Sequence, residues 1–290
     1  MNTLSLKSIL FATDFSVASM QALPYATSIA RQFGSKLYIA HVVPPEDYPI
    51  GLDSYDESAQ AGCRRAEPKL KSVLDSAPCR GLSCEALIGS GDVWIGLSDF
   101  MRRHVTGLLV MGTIGRTGLK KLLLGSVAEE AMRESRCPVL TVGLESHPAE
   151  EGRFRHVLYA TDFSTGSLAG APFALAFSKS YGARLTLVHA LEGLPESPYL
   201  DAQMARVRLR ELVPHRVDLG PEPEIIVEMG SPADVILKAA DDTASDLIVI
   251  GARGAGALAR LASHFGSVAH KIVCRALCPV LTVRRLTDRD

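Results

Sequence analysis

The sequence predicts an α/β protein built from two tandem copies of one domain, each an open five-stranded parallel sheet flanked by helices. Three observations predict it. First, the chain repeats itself: SILFATDFS (Ser8–Ser16) recurs as HVLYATDFS (His156–Ser164), 148 residues on, and LYIAHV (Leu37–Val42) recurs as LTLVHA (Leu185–Ala190) at the same offset. CPVLTV (Cys137–Val142) returns unchanged at Cys278–Val283, now 141 residues on, so the second copy is shorter in its middle. A period of about 145 residues is too long for a solenoid and reads as a duplicated domain. Second, short apolar runs alternate with longer amphipathic stretches, the pattern of a sheet wrapped by helices. Third, the apolar runs are near-continuous and rich in Val, Ile and Leu, as strands buried on both faces require.

In the first half the runs are Ile9–Ala12, Leu37–Val43, Cys84–Ile88, Leu108–Met111 and Val139–Val142. Helical periodicity fills the gaps at Val17–Phe33, Tyr55–Ser76, Val93–His104 and Val127–Ser135. In the second half the runs are Val157–Ala160, Leu185–Ala190, Ile225–Val227, Leu247–Ile250 and Val280–Val283. Helices are expected there at Thr165–Tyr181, Pro198–Val213, Ala233–Thr243 and Ser267–Arg275. Pro24 matches Pro172 and Gly34 matches Gly182. The polar stretch Gly143–Arg155 has no apolar period and suits a linker. The expected division is 1–143, a linker at 144–155, and 156–290.

Composition narrows the function. The 290 residues are 47% hydrophobic and 22% charged, an ordinary globular mixture. Lys plus Arg number 31 against 32 Asp plus Glu, so no global basic field exists to hold a nucleic acid. No apolar run approaches the ~20 residues that span a bilayer, and the greasiest, Leu168–Phe177, contains Gly170 and Pro172. Asp14 interrupts the apolar N-terminal stretch, so no export signal is read, and the six cysteines are expected as reduced thiols of a cytoplasmic protein.

Ligands of such sheets sit beyond the carboxyl ends of the strands, at a topological switch point. That rule directs attention to the residues after Ala12, Val43 and Met111 and after their partners. After the fourth run comes Met111–Glu130, MGTIGRTGLKKLLLGSVAEE, with Gly112, Gly115 and Gly125–Ser126 spaced G-x2-G-x9-G-S ahead of a helix. Glycines permit close backbone approach, and the N–H groups of a loop and of Ser126 and Val127 at a helix start can face anionic oxygens. Arg116, Lys120 and Lys121 add positive charge. The loop can hold phosphates, though it is neither a Walker A loop nor a G-x-G-x-x-G turn. The alternative is a tight turn in which Ser126 is only an N-cap. Asp14 is expected at the same sheet edge, where its carboxylate could accept from a ribose hydroxyl or a base amine. Its alternative role is to cap the following helix, with Ser16 the other candidate cap.

These residues carry a family resemblance. ATDFS twice, G-x2-G-x9-G-S at Gly112–Ser126, and CPVLTV twice, in this order, make each half resemble the universal stress protein family, and the whole chain is similar to a tandem member of its ATP-binding branch. The resemblance implies Rossmann-like domains of the adenine nucleotide alpha hydrolase type. It also implies an ATP site, with or without Mg²⁺. The matching positions are Ala12, Thr13, Asp14 and Val42 for adenosine, and Met111, Gly112, Gly115, Gly125, Ser126 and Val127 around the phosphates. Edge strands in this family pair between domains, so the halves are expected to form an internal pseudo-dimer, with a homodimer a further option.

The second half departs from the pattern. Gly251 and Gly254 are followed by eleven residues before Gly266–Ser267, and His264 and Phe265 are bulky beside the phosphate position. Either that loop bulges outward and the site survives, or the site is degraded. The expected retained site is Ala160, Thr161, Asp162, Gly251, Gly254, Gly266 and Ser267. Gly107 stands where the second half has Asp246, a position that bears on how the strand begins.

Other features read as structural: Cys137 and Cys278 as small buried residues, His41 and His189 as packing or backbone hydrogen bonds, Trp94 as core or interface. Cys79 and Cys84 lack zinc-like spacing, and no metal site is expected. Three functions compete: a nucleotide-dependent regulator of a stress response, a slow ATPase, and a nucleotide-free scaffold. No Walker B carboxylate, arginine finger or catalytic-loop aspartate is evident, which favours the regulator and leaves no catalytic residue to name.

Overall fold

The computed structural model describes residues 6–49, 54–114, 124–146, 152–193, 197–214, 219–252 and 267–284. It divides into two compact units, formed chiefly by Ser5–Leu144 and by Arg153–Asp290. The first runs β1 (Ser8–Ala12), α1 (Val17–Met20), α2 (Leu23–Phe33), β2 (Lys36–Val43), α3 (Tyr55–Leu74), β3 (Cys84–Ser90), α4 (Val93–Arg103), β4 (Leu108–Gly112), α5 (Ser126–Glu134) and β5 (Val139–Val142). The second repeats the order as β6 (His156–Ala160), α6 (Thr165–Leu168), α7 (Ala171–Tyr181), β7 (Arg184–Leu191), α8 (Pro198–Glu211), β8 (Glu224–Met229), α9 (Pro232–Asp242), β9 (Leu247–Gly251), α10 (Ser267–Arg275) and β10 (Val280–Val283). Among the described residues no helix is long and apolar enough to cross a membrane.

Strand order in the first unit is β3-β2-β1-β4-β5 and in the second β8-β7-β6-β9-β10, with parallel pairing throughout the described ladders. Central strands β1, β4 and β6 are buried along their whole length, which is why they read as unbroken apolar runs. Phe11, fully buried, pairs in register with Ile39 on one side and Val110 on the other. The outer strands β3 and β8 are half exposed and carry charge, and Lys36 pairs with Glu85 at 2.6 Å across β2 and β3. Charged side chains of this kind blunt a sheet edge. In the first unit the chain steps outward from β1 through β2 to β3, then crosses back to β4. The gap between the ends of β1 and β4 is therefore the switch point.

One expected element is two. The single helix at Val17–Phe33 is split into α1 and α2, and Thr165–Tyr181 is split into α6 and α7 at the same place. Pro24 and Pro172 occupy the first turn of α2 and α7. A proline there has no N–H to give, and its ring clashes with the carbonyl four residues back, so α1 stops at Met20 and α6 at Leu168. Gly34 and Gly182 close α2 and α7 at φ of +63°, the left-handed conformation that a glycine adopts at least cost. Within the stretch expected as a linker, Phe154 is 1% exposed, packed on Phe177 and Tyr181 at ring separations of 5.7 and 5.2 Å.

All six cysteines are free thiols. Cys278 is buried at the start of β10, and burial pushes its thiol up to about 12. The folded state therefore holds the proton that an unfolded chain releases above its ordinary value of 9.0. The sign follows: the stability contributed by this group is complete below pH 9 and declines as pH rises from there towards 12. At about pH 8, native Cys278 is expected to resist iodoacetamide and to react on unfolding in urea, as peptide mass mapping would show. Rapid labelling of the native chain at Cys278 would contradict this.

Candidate functional site at the switch point of the first unit

The turn after β1 is built from its own side chains. Thr13 extends the ladder by donating its N–H to the Ala40 carbonyl at 3.0 Å. Its hydroxyl oxygen accepts from the N–H of Phe15 at 2.9 Å and lies 2.9 Å from Ser19 Oγ. Its carbonyl accepts from His41 Nδ1 at 2.8 Å. These contacts hold Phe15 at φ of +63°, a left-handed conformation that costs a non-glycine residue about 1–2 kcal/mol. The Phe15 ring packs against His41 with centroids 4.5 Å apart. Capping is shared out: Ser16 Oγ accepts from the N–H of Ser19 and caps α1, while Asp14 Oδ1 accepts from the N–H of Ser16 at 3.0 Å and closes the turn before it.

The opposite wall is the start of α5. The helix begins at Ser126, and its N-cap is Gly125 rather than Ser126. Gly125 donates to the Thr113 carbonyl at 2.8 Å and accepts from Glu129 N–H at 2.9 Å. A glycine has no side chain to reach the first-turn N–H groups, and α5 has no side-chain cap. Gly125 sits at φ −66°, ψ 146°, a conformation open to any residue. Gly112 has a different reason to be glycine. A Cβ there would lie 2.9 Å from the carbonyl oxygen of Ala18 and 3.0 Å from Cα of Ser19, so its close approach is to α1 of the same unit. The split of the helix at Pro24 is what lets α1 lie there.

Between the two walls is a cavity of about 220 Å³. Ala12, Thr13, Asp14, Val42, Met111, Gly112, Gly125, Ser126 and Val127 all line it. Gly115, with Arg116, Lys120 and Lys121, falls in 115–123, outside the described residues. Val42 is also held between neighbours, since a Cβ at Gly96 would come within 2.8 Å of it. Sequence reasoning missed Ser19, Ala40, Glu46, Val93, Leu97 and Thr113. Ala40 was accessible in principle as the register partner of Ala12, and Glu46 as part of the turn after β2. Val93 and Leu97 carry no local signal; the crossover from β3 sets the start of α4 over the sheet edge. The described wall thus has an apolar side (Ala12, Ala40, Val42, Val93, Leu97), two carboxylates (Asp14, Glu46) and an uncapped helix N-terminus. An N-terminus of this kind favours anionic oxygens, and the carboxylates favour hydroxyl or amine donors.

The second unit repeats the turn. Thr161 Oγ1 accepts from Phe163 N–H, the Thr161 carbonyl accepts from His189 Nδ1 at 2.8 Å, and Ser164 caps α6. Asp162 Oδ1 accepts both Ser164 N–H at 2.9 Å and Ser167 Oγ at 2.6 Å, and Ser167 Oγ also meets the Thr161 hydroxyl and the Ser164 carbonyl, as Ser19 Oγ meets the Thr13 hydroxyl and the Ser16 carbonyl in the first unit. Ala160 ends β6, and Gly251 ends β9 against the backbone of Gly166 and Ser167. Ser267 begins α10, and Gly254 and Gly266 fall outside the described residues. A cavity of about 320 Å³ in this unit lies elsewhere, beside Phe163, His189 and α8. Asp246 serves the start of β6: its carboxylate accepts the N–H groups of Arg155 at 2.8 Å and His156 at 3.0 Å. At the matching place in the first unit, Gly107 N–H donates to the Ser8 carbonyl.

Comparison with known proteins places this arrangement. Residues 5–143 and 153–284 each match the universal stress protein family. A universal stress protein of Thermus aquaticus is 37% identical over 139 residues, spanning 45% of this chain and 99% of that protein. One from Mycolicibacterium smegmatis is 24% identical over 292 residues, spanning 95% of this chain and 96% of its own. The crystal structure of a universal stress protein from Archaeoglobus fulgidus shares the fold, with a TM-score of 0.77 at 23% identity over 97% of this chain and 99% of that one.

Proposed function

The chain belongs to the universal stress protein family, and on that premise we propose that its first unit binds an adenine nucleotide, ATP, in the cavity between Asp14 and α5. The chain then acts as a nucleotide-dependent regulator of a stress response rather than as a dedicated catalyst. One observation carries the reading. Four segments far apart in sequence, at 12–14, 42, 111–112 and 125–127, converge on one cavity at the switch point of the sheet. Its apolar side suits a purine, the Asp14 carboxylate suits ribose hydroxyls, and the uncapped first turn of α5 suits phosphate oxygens.

Among the described residues no group of three or more His, Cys, Asp and Glu side chains could hold a metal. A Mg²⁺ ion would arrive held by the phosphates, with Asp14 or Glu46 the protein carboxylates within the same wall. The repeated turn supports a second site at Ala160, Thr161, Asp162, Gly251, Gly254, Gly266 and Ser267. Regulation would follow if ATP binds two arrangements of the chain unequally, since a ligand moves such an equilibrium only by its differential affinity.

The test begins with the purified chain, denatured and searched by mass spectrometry for a released nucleotide. Calorimetric titration with ATP should then saturate, and Asp14→Asn, which keeps an acceptor for Ser16 N–H, should weaken binding by about tenfold. Absence of both released nucleotide and saturable binding would overturn the proposal. Turnover far above background that Asp14→Asn removes would transfer the chain to the ATPases.

A further inference from the structure

The duplicated fold provides an internal comparison, because α3 and α8 occupy the same place between the second and third strands of their units. Their outer faces differ. On α3 the exposed positions are charged or polar apart from Tyr55 and Pro68. On α8, Ala205 and Leu209 are buried, and the opposite face presents Leu200, Met204 and Val207, which are 59%, 64% and 52% exposed. Their spacing of i, i+4, i+7 makes one continuous stripe along the helix. Exposed apolar surface gathered in this way marks an interaction site more often than scattered single residues do.

The charges beside the stripe say what fits it. Asp201 and Arg208 are two turns apart on one flank, and both line the neighbouring cavity. The Arg208 guanidinium is held in place over the Phe163 ring, 3.9 Å from its centroid. Tyr199 and Arg210 lie near opposite ends of the other flank. Antiparallel helices related by a twofold axis set like flanks together, end to opposite end. An axis passing between Met204 and Ala205 brings Asp201 against Arg208 of a second copy and Tyr199 against its Arg210, while the two Met204 side chains meet at the centre. No like charges are opposed. We propose that α8 is a self-complementary docking surface through which two copies of this chain pair antiparallel.

The helix has 14 residues, so the patch is smaller than the ~800 Å² per partner of a standard stable interface. The dimer is therefore reversible and concentration-dependent. Sedimentation velocity of the full chain over about 1–100 µM should show a monomer–dimer equilibrium. Met204→Glu, at a position more than half exposed, should leave the circular dichroism unchanged and weaken the dimer by at least about tenfold. Asp201→Arg and Arg208→Asp should each weaken it, and the two together should restore it. A chain that stays monomeric across this range, a dimer indifferent to Met204→Glu, or charge reversals that fold but do not rescue each other would overturn the proposal. None of these readouts depends on nucleotide.

Discussion

Gly125→Asp is expected to stabilise the first unit and at the same time to weaken the nucleotide binding proposed for it. The glycine caps α5 in an extended conformation that aspartate adopts without strain, and α5 has no side-chain cap to lose. An aspartate there would accept from the first-turn N–H groups and would carry its negative charge to the positive end of the helix. Relative to glycine at an N-cap, with the reduced freedom of the unfolded chain included, the gain is about 0.5–1 kcal/mol. For a unit of this size that raises Tm by roughly 2–4 °C. The same carboxylate would occupy the place assigned to the phosphates and repel them, so ATP affinity should fall about a hundredfold. Scanning calorimetry and titration calorimetry on one sample read the two effects. Opposite signs are what distinguish a ligand cradle from a simple turn. If the variant is stabilised and binds ATP as the parent does, the first turn of α5 is not where the phosphates lie.

The second large effect is structural, and it concerns the glycines that end β4 and β9. In Gly112→Ala the new Cβ would meet backbone of α1 at 2.9 and 3.0 Å, and in Gly251→Ala it would meet Cα of Ser167 at 2.6 Å and the carbonyl of Gly166 at 2.8 Å. Backbone cannot yield as a flexible side chain can, so α1 or α6 must shift and disturb the hydroxyl networks of Thr13 with Ser19 or Thr161 with Ser167. Each substitution should cost about 2–3 kcal/mol and lower the transition of its own unit by roughly 5–10 °C, with Gly251→Ala the more severe. Trp94 is the only tryptophan, buried on α4 of the first unit, so its fluorescence follows the Gly112→Ala transition. Amide exchange at β9 follows Gly251→Ala. Variants as stable as the parent would mean that these glycines answer to a ligand alone.

That pair of glycines shows how far a spacing motif can be trusted. The motif marks the edge of the sheet where the cavity lies, and Gly125 does cap a helix there. Yet Gly112, the first residue of the motif, is committed to helix packing within its own unit, and nothing in G-x2-G-x9-G-S distinguishes those reasons. The histidines were easier. A polar residue repeated at the end of an apolar strand has few uses, and His41 and His189 do bond the carbonyls of Thr13 and Thr161. The helix break was signalled by Pro24 and Pro172 and still escaped, because amphipathic periodicity runs through both breaks.

What the sequence determined by itself is the duplicated parallel-sheet architecture and the edge of the sheet where the cavity lies. Strands buried on both faces are apolar whichever strands they pair with, and the order of segments fixes which strand ends share an edge. Tertiary structure alone decided the rest: that Val93, Leu97 and Glu46 complete the wall, that Gly112 yields to α1, that Ser167 joins Asp162 to Thr161, and that the apolar stripe of α8 faces outward. A side chain's local pattern reports how buried it is, while its partner is set by crossovers that bring distant segments together, and the one-dimensional chain carries no record of that distance.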